Sequence, residues 1–143
     1  KIPEAVLNLV TETGPEVSGV RYHTGITKEA LATLYRECWV YASPSLYEGF
    51  GLPYLEAMAS GTAVLASEAG AWKEVVRDGI DGYVVPCDEV EATQTKLALL
   101  LSEECELEKM GLAGLQRIKD HFTIEREAES LCDFFKRLQL KES

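Results

Sequence analysis

Short β-favouring apolar runs alternate along this chain with longer stretches of helical spacing, and that alternation constrains the fold more than any single residue does. The runs lie at 7–10, 20–23, 40–42, 63–66 and 83–85, and the helical stretches at 28–37, 53–60, 71–77, 89–101, 104–121 and 124–140. Strands separated by helices cannot close into tight hairpins, so they pair in parallel and need helices over both faces. An α/β fold with one parallel sheet covered on both sides is expected. At 143 residues and 46% hydrophobic the chain can bury roughly two-thirds of its unfolded surface, which suits one domain over 1–143.

Two stripes at helical spacing mark packing surfaces near the end of the chain. Leu107, Met110, Leu115, Ile118 and Phe122 form one, and Ile124, Ala128, Leu131, Phe134 or Phe135, and Leu138 the other. Leu97 to Leu101 is a shorter apolar stretch, and no run of about 18 apolar residues or signal-peptide pattern is present.

The chemistry concentrates where the third run ends. Val40-Tyr41-Ala42 leads through Glu48-Gly49-Phe50-Gly51-Leu52 to Pro53, where a helix can begin, and Gly61 can end that helix. Gly49 and Gly51 let the backbone approach a ligand. The unpaired N–H groups and positive dipole end of the helix suit an anion such as phosphate without a basic side chain. Glu56 lies about one turn into the helix, and its Cβ tilts back toward that seat. A carboxylate repels phosphate, so Glu56 fits neighbouring hydroxyls such as a ribose diol, and Glu48 fits hydroxyls on the other side. Hydroxyls on both sides of a diphosphate describe a nucleotide-sugar. A dinucleotide fingerprint G-x-G-x-x-G is only half matched, because Tyr54 stands at its third glycine.

The string from Val40 through Ser43-Pro44-Ser45-Leu46-Tyr47-Glu48 to Pro53, continued by Leu55-Glu56-Ala57-Met58-Ala59-Ser60-Gly61, resembles the E-x7-E signature of glycosyltransferase family 4. Tyr22-His23-Thr24-Gly25 with Leu31 to Tyr35, the run at 63–67, Glu74-Val75-Val76-Arg77-Asp78-Gly79 and Gly82-Tyr83-Val84-Val85-Pro86 follow the family's order, and the resemblance covers about 20–138. It implies a Rossmann-like parallel sheet and the C-terminal, donor-binding half of a two-domain GT-B enzyme. Such an enzyme transfers sugar from a nucleoside diphosphate with retention and needs no metal for the chemistry.

The same resemblance implies roles residue by residue. Gly49, Phe50, Gly51 and Leu52 would offer backbone N–H groups to the diphosphate, Glu48 would orient the donor sugar, and Glu56 would hold the ribose. Gly25, Ile26 and Thr27 match the region that touches the base, although Thr27 also reads as a helix cap. Glu74 falls where the family has the glutamate of a G-G-x-P-E loop, with Ala71 in place of the second glycine and Lys73 in place of proline. Replacing Gly51 by valine is expected to obstruct the ligand and leave the fold largely intact.

The chain opens at Lys1-Ile2-Pro3-Glu4 without the strand and the Arg and Lys positions that in the family grip the diphosphate. An acceptor domain outside this sequence is expected to receive a sugar, lipid-linked or polysaccharide acceptor, and the last helix to reach toward it, leaving part of its apolar face without its natural cover here. The 143 residues alone are expected to fold without transferring sugar.

A formal charge of −10 opposes nonspecific binding to nucleic acid or anionic membrane. Cys38, Cys87, Cys105 and Cys132 lack C-x-x-C spacing, and with His23 and His121 they complete no zinc motif, which suits thiols in a reducing, cytoplasmic setting. A non-catalytic nucleotide-binding module and a GT-B-like nucleotide-sugar epimerase or phosphorylase are the alternative readings.

Overall fold

The computed structural model describes residues 5–141. The opening segment Lys1-Ile2-Pro3-Glu4 lies outside the described residues. The elements run β1 (Leu7–Val10), β2 (Val20–His23), α1 (Lys28–Glu37), β3 (Val40–Ser43), α2 (Leu52–Ala59), β4 (Ala63–Ser67), α3 (Trp72–Val75), β5 (Gly82–Val85), α4 (Val90–Ser102), α5 (Glu104–His121) and α6 (Ile124–Lys141). Every expected strand and helix is present.

All pairing is parallel, as the alternation requires. The single expected sheet is instead two pieces, β1-β2 and β3-β4-β5, with no ladder between them among the described residues. A ladder needs backbones about 4.8 Å apart, and where the two pieces meet the Asn8 amide of β1 donates to the Cys38 thiol just before β3 at 3.7 Å, a side-chain contact in place of a ladder.

The core sits around β4, whose five residues are all buried. Its side chains alternate between faces. Val64 and Ala66 join Tyr35, Tyr54, Ala57, Met58, Val75 and Val76 on one side. Ala63 and Leu65 join Val85, Leu100, Leu107 and Met110 on the other. Burying side chains such as Leu65, Met58 and Leu100 stabilises the fold by about 1.5–3 kcal/mol each.

Helix α5 approaches more closely than its apolar stripe suggests. Gly111 and Gly114 are buried in it, and a Cβ at Gly111 would lie 2.1 Å from the Gly61 carbonyl oxygen. The gap between α5 and the end of α2 is therefore too narrow for any side chain at that position.

One expected boundary differs. Helix α3 spans Trp72–Val75 rather than 71–77, because Val76 is already extended and the Arg77 N–H donates to the Asp81 side chain, Oδ1, at 2.6 Å instead of to a helical carbonyl. The stripe on α6, part of which was expected to lack its cover, is exposed at Ile124, Leu131, Phe134, Phe135 and Leu138. No helix among the described residues is long and apolar enough to cross a membrane. All four cysteines are free thiols, Cys38 and Cys87 half-buried and Cys105 and Cys132 exposed. Burial raises the Cys38 thiol above its ordinary range.

Candidate functional site

Parallel strands end on a common edge, and in the three-stranded sheet the segments 44–51, 68–71 and 86–89 leave that edge after β3, β4 and β5. Open parallel sheets bind ligands at this edge. The β3 segment is held from below by buried groups. Ser67 Oγ, closing β4, donates to the Ser45 carbonyl at 2.5 Å, and the Tyr54 hydroxyl donates to the Ser43 carbonyl at 3.2 Å.

That anchoring presents the glycine turn outward. Phe50 and Leu52 are exposed, while Gly51 caps α2 in the left-handed region at φ 84°. Helix α2 starts at Leu52, one residue before the expected Pro53, so proline takes the second helical position. Tyr54 N–H donates to Gly51 O at 3.0 Å. Among the described residues no backbone hydrogen bond outside the helices and strands uses the N–H of Gly49, Phe50, Gly51 or Leu52 as donor. The turn therefore offers unspent donors to an anion.

Gly51 has a second constraint that the sequence reading missed. A Cβ there would lie 2.7 Å from the Tyr54 ring, and φ is positive, so valine would strain the fold itself. The expectation that Gly51→Val spares the fold is thus corrected. A Cβ at Gly49 would meet nothing within 4 Å, so that position carries no such constraint.

Glu48 is half-buried beside the turn, and Gly70 explains how it is placed. Gly70 has φ 59°, and a Cβ on it would lie 1.8 Å from the Glu48 carbonyl oxygen. Next to it the Ala71 N–H donates to Gly49 O at 3.2 Å. The segment after β4 thus lies directly against the segment after β3.

Glu56 is exposed, and its Oε2 accepts a 3.3 Å hydrogen bond from the Tyr35 hydroxyl on α1. Burial first, then the neighbouring Tyr41 and Glu56, push the Tyr35 phenol well above the ordinary tyrosine range. Tyr35 remains neutral and able to donate. Tyr35, Tyr41 and Tyr54 form a chain of edge-on rings at 5.5 and 6.0 Å.

Gly25, Ile26 and Thr27 follow β2 and precede α1. Gly25 takes φ 59° with open space around it, whereas Thr27 is engaged as the α1 cap, its Oγ1 accepting from Ala30 N–H at 3.2 Å. Glu74 lies on α3 with its side chain exposed. Its backbone is tightly held: Arg117 Nη2 donates to Glu74 O at 2.6 Å and Arg117 Nε to Val75 O at 2.9 Å. Arg117 also lies 4.0 Å from the fully buried Asp81, which Arg77 Nε meets at 2.6 Å.

Sequence reasoning gave Tyr35 and Ser67 no role beyond their place in family-matching segments, and did not single out Gly70, Asp81 or Arg117. The pair Gly70-Ala71 before Glu74 was the one local signal. Among the described residues no group of three or more His, Cys, Asp or Glu is arranged to hold a metal ion.

The family described as "Glycosyl transferases group 1" matches residues 11–117. The MMP alpha-(1->4)-mannosyltransferase of Mycolicibacterium hassiacum is 44% identical over 108 residues, covering 73% of this chain and 26% of the relative. Among solved structures, sucrose-phosphate synthase from Thermosynechococcus elongatus superposes with TM-score 0.77 at 30% identity, over 86% of this chain and 31% of that one. Anabaena Alr3699/HepE, solved in complex with UDP, superposes with TM-score 0.75 at 18% identity, over 83% of this chain and 32% of its own, a likeness of fold. The chain spans less than a third of the length of the curated relatives it matches.

Proposed function

This chain belongs to the glycosyl transferases group 1 family, and we propose from that premise that it binds the nucleoside-diphosphate sugar of a retaining glycosyltransferase. The observation that carries the reading is the turn from Gly49 to Leu52. Its N–H groups are unspent, buried Ser67 and Tyr54 hold the Ser45 and Ser43 carbonyls of the segment leading into it, and Glu48 and Glu56 flank it in sequence. HepE, which shares the fold, is solved in complex with UDP, and a nucleotide ligand for this chain fits that likeness.

The chemistry follows from placing fixed dipoles where charge grows. As the bond from anomeric carbon to phosphate oxygen breaks, negative charge accumulates on the diphosphate, and preorganised N–H groups of residues 49–52 stabilise it without reorganising. Glu48 accepts hydrogen bonds from donor-sugar hydroxyls. Glu56, steadied by Tyr35, accepts from the ribose diol, and Gly25 and Ile26 border the base. Glu74, three residues beyond the Ala71 that bonds Gly49, accepts hydrogen bonds from the donor-sugar hydroxyls.

We read retention as attack by the acceptor hydroxyl on the face the diphosphate leaves, with the departing phosphate taking the proton, so Glu48 is not a nucleophile. Backbone donors at the turn make a metal unnecessary for this chemistry. A sugar, lipid-linked or polysaccharide acceptor is held by a part of the protein outside this chain, in the cytoplasm, and these 143 residues alone do not turn over.

The test is a transfer screen of the full-length protein against UDP-, GDP- and ADP-sugars with a panel of acceptors, reading released nucleoside diphosphate. Acceptor-dependent release from one donor supports the reading. No release from any donor, or conversion of a donor without acceptor, overturns it.

A further inference from the structure

We propose that Arg117, on α5 and outside every motif of the donor site, is the positioning residue that sets the glycine turn and Glu74, an inference that rests on the donor-site reading above. Its guanidinium reaches the turn by two independent routes. Through Nη2 and Nε it holds the carbonyls of Glu74 and Val75, which α3 leaves without helical partners, at 2.6 and 2.9 Å. The same segment then donates from Ala71 N–H to Gly49 O and packs Gly70 against the Glu48 carbonyl. By the second route Arg117 lies 5.4 Å over the Phe122 ring, and Phe122 meets Phe50 edge-on with centroids 6.5 Å apart.

The electrostatics make this geometry rigid. The Arg117 side chain is only 15% exposed, and the buried Asp81 carboxylate beside it is fixed in turn by Arg77 through the Arg77 N–H and Nε. A planar guanidinium fits two adjacent carbonyls, an aromatic face and a carboxylate at once, whereas an ammonium does not. Arg117 therefore acts at a distance: it touches no ligand, and it fixes two segments that do.

The experiment uses the full-length protein with Arg117→Lys, Arg117→Met and Phe122→Leu, and Leu100→Ala as a control that loosens the opposite side of the core. Three quantities are read: thermal stability, the Kd for whichever of UDP, GDP and ADP the wild type binds, and hydrogen exchange of the Ala71 amide. Each Arg117 variant and Phe122→Leu should weaken nucleotide binding, by about tenfold for Arg117→Lys, the scale of one lost hydrogen bond. The Arg117 variants should also speed Ala71 exchange, while Leu100→Ala loses stability with wild-type Kd and Ala71 exchange.

Wild-type Kd and Ala71 exchange in the Arg117 variants would overturn the proposal. If those variants do not fold, Phe122→Leu decides, and a wild-type Kd for it overturns the proposal. If the wild-type protein binds none of the three nucleotides, the donor reading fails on its own. Ala71 exchange in Arg117→Lys then decides the positioning claim, unchanged exchange overturning it.

Discussion

The Tyr35 hydroxyl donates to Glu56 Oε2 at 3.3 Å, tying a buried phenol on α1 to an exposed carboxylate on α2. The bond aims Glu56 while leaving its other oxygen open to solvent and ligand. Glu56→Ala should therefore weaken nucleotide binding by about 1.5–3 kcal/mol, and Tyr35→Phe by about 0.5–1.5 kcal/mol, because the phenylalanine variant keeps the carboxylate and loses only its support. Calorimetry on the full-length protein checks both. Equal affinities in wild type and Glu56→Ala would remove Glu56 from the ribose.

Burial gives the same tyrosine a pH signature. The folded-state pKa of Tyr35 lies above the unfolded value of about 10, so the folded state keeps its proton longer. Its contribution to stability is complete below that unfolded value and is lost as pH rises through the folded one. Urea unfolding from about pH 8 to about pH 11 should show stability falling above about pH 10, with a shallower fall in Tyr35→Phe. Tyr41, raised chiefly by burial as well, keeps part of the slope in the variant. Identical slopes would contradict the burial of a neutral phenol at this position.

The two glycines of the turn should separate folding from binding. Gly51→Val, at φ 84° and against the Tyr54 ring, should lower stability by about 2 kcal/mol or more. Gly49→Val has open space around its side chain and should leave stability within about 0.5 kcal/mol while weakening diphosphate binding. Denaturant unfolding and nucleotide titration of each variant read the two effects independently. Normal binding by Gly49→Val would place the phosphates elsewhere.

Asp81 is fully buried between Arg77 and Arg117. Asp81→Ala removes the anion that both guanidinium groups face and should cost about 3 kcal/mol, seen as a lower midpoint in urea. A loss under about 1 kcal/mol would mean that solvent already screens the cluster.

Much of this was legible in the sequence because it is local. Apolar runs and helical stripes placed each element to within a few residues, and the string from Glu48 to Glu56 pointed to the candidate site. Contacts between distant residues left no comparable mark. Tyr35 and Glu56 are 21 positions apart, and Arg117 and Glu74 are 43 apart. Sheet continuity failed for the same reason, since which strands come within pairing distance is decided by tertiary placement. Gly51 shows a subtler miss: its tolerance was read from the ligand side, while the Tyr54 ring beneath it sets the limit.

A structure of the full-length protein with its nucleoside diphosphate bound would decide the donor-site assignment. Diphosphate oxygens should lie within about 3.2 Å of at least two backbone nitrogens among Gly49, Phe50, Gly51 and Leu52, with the ribose hydroxyls on Glu56. A nucleotide seated away from the turn, with those N–H groups facing solvent and Glu56 bonded to Tyr35 alone, would contradict the assignment.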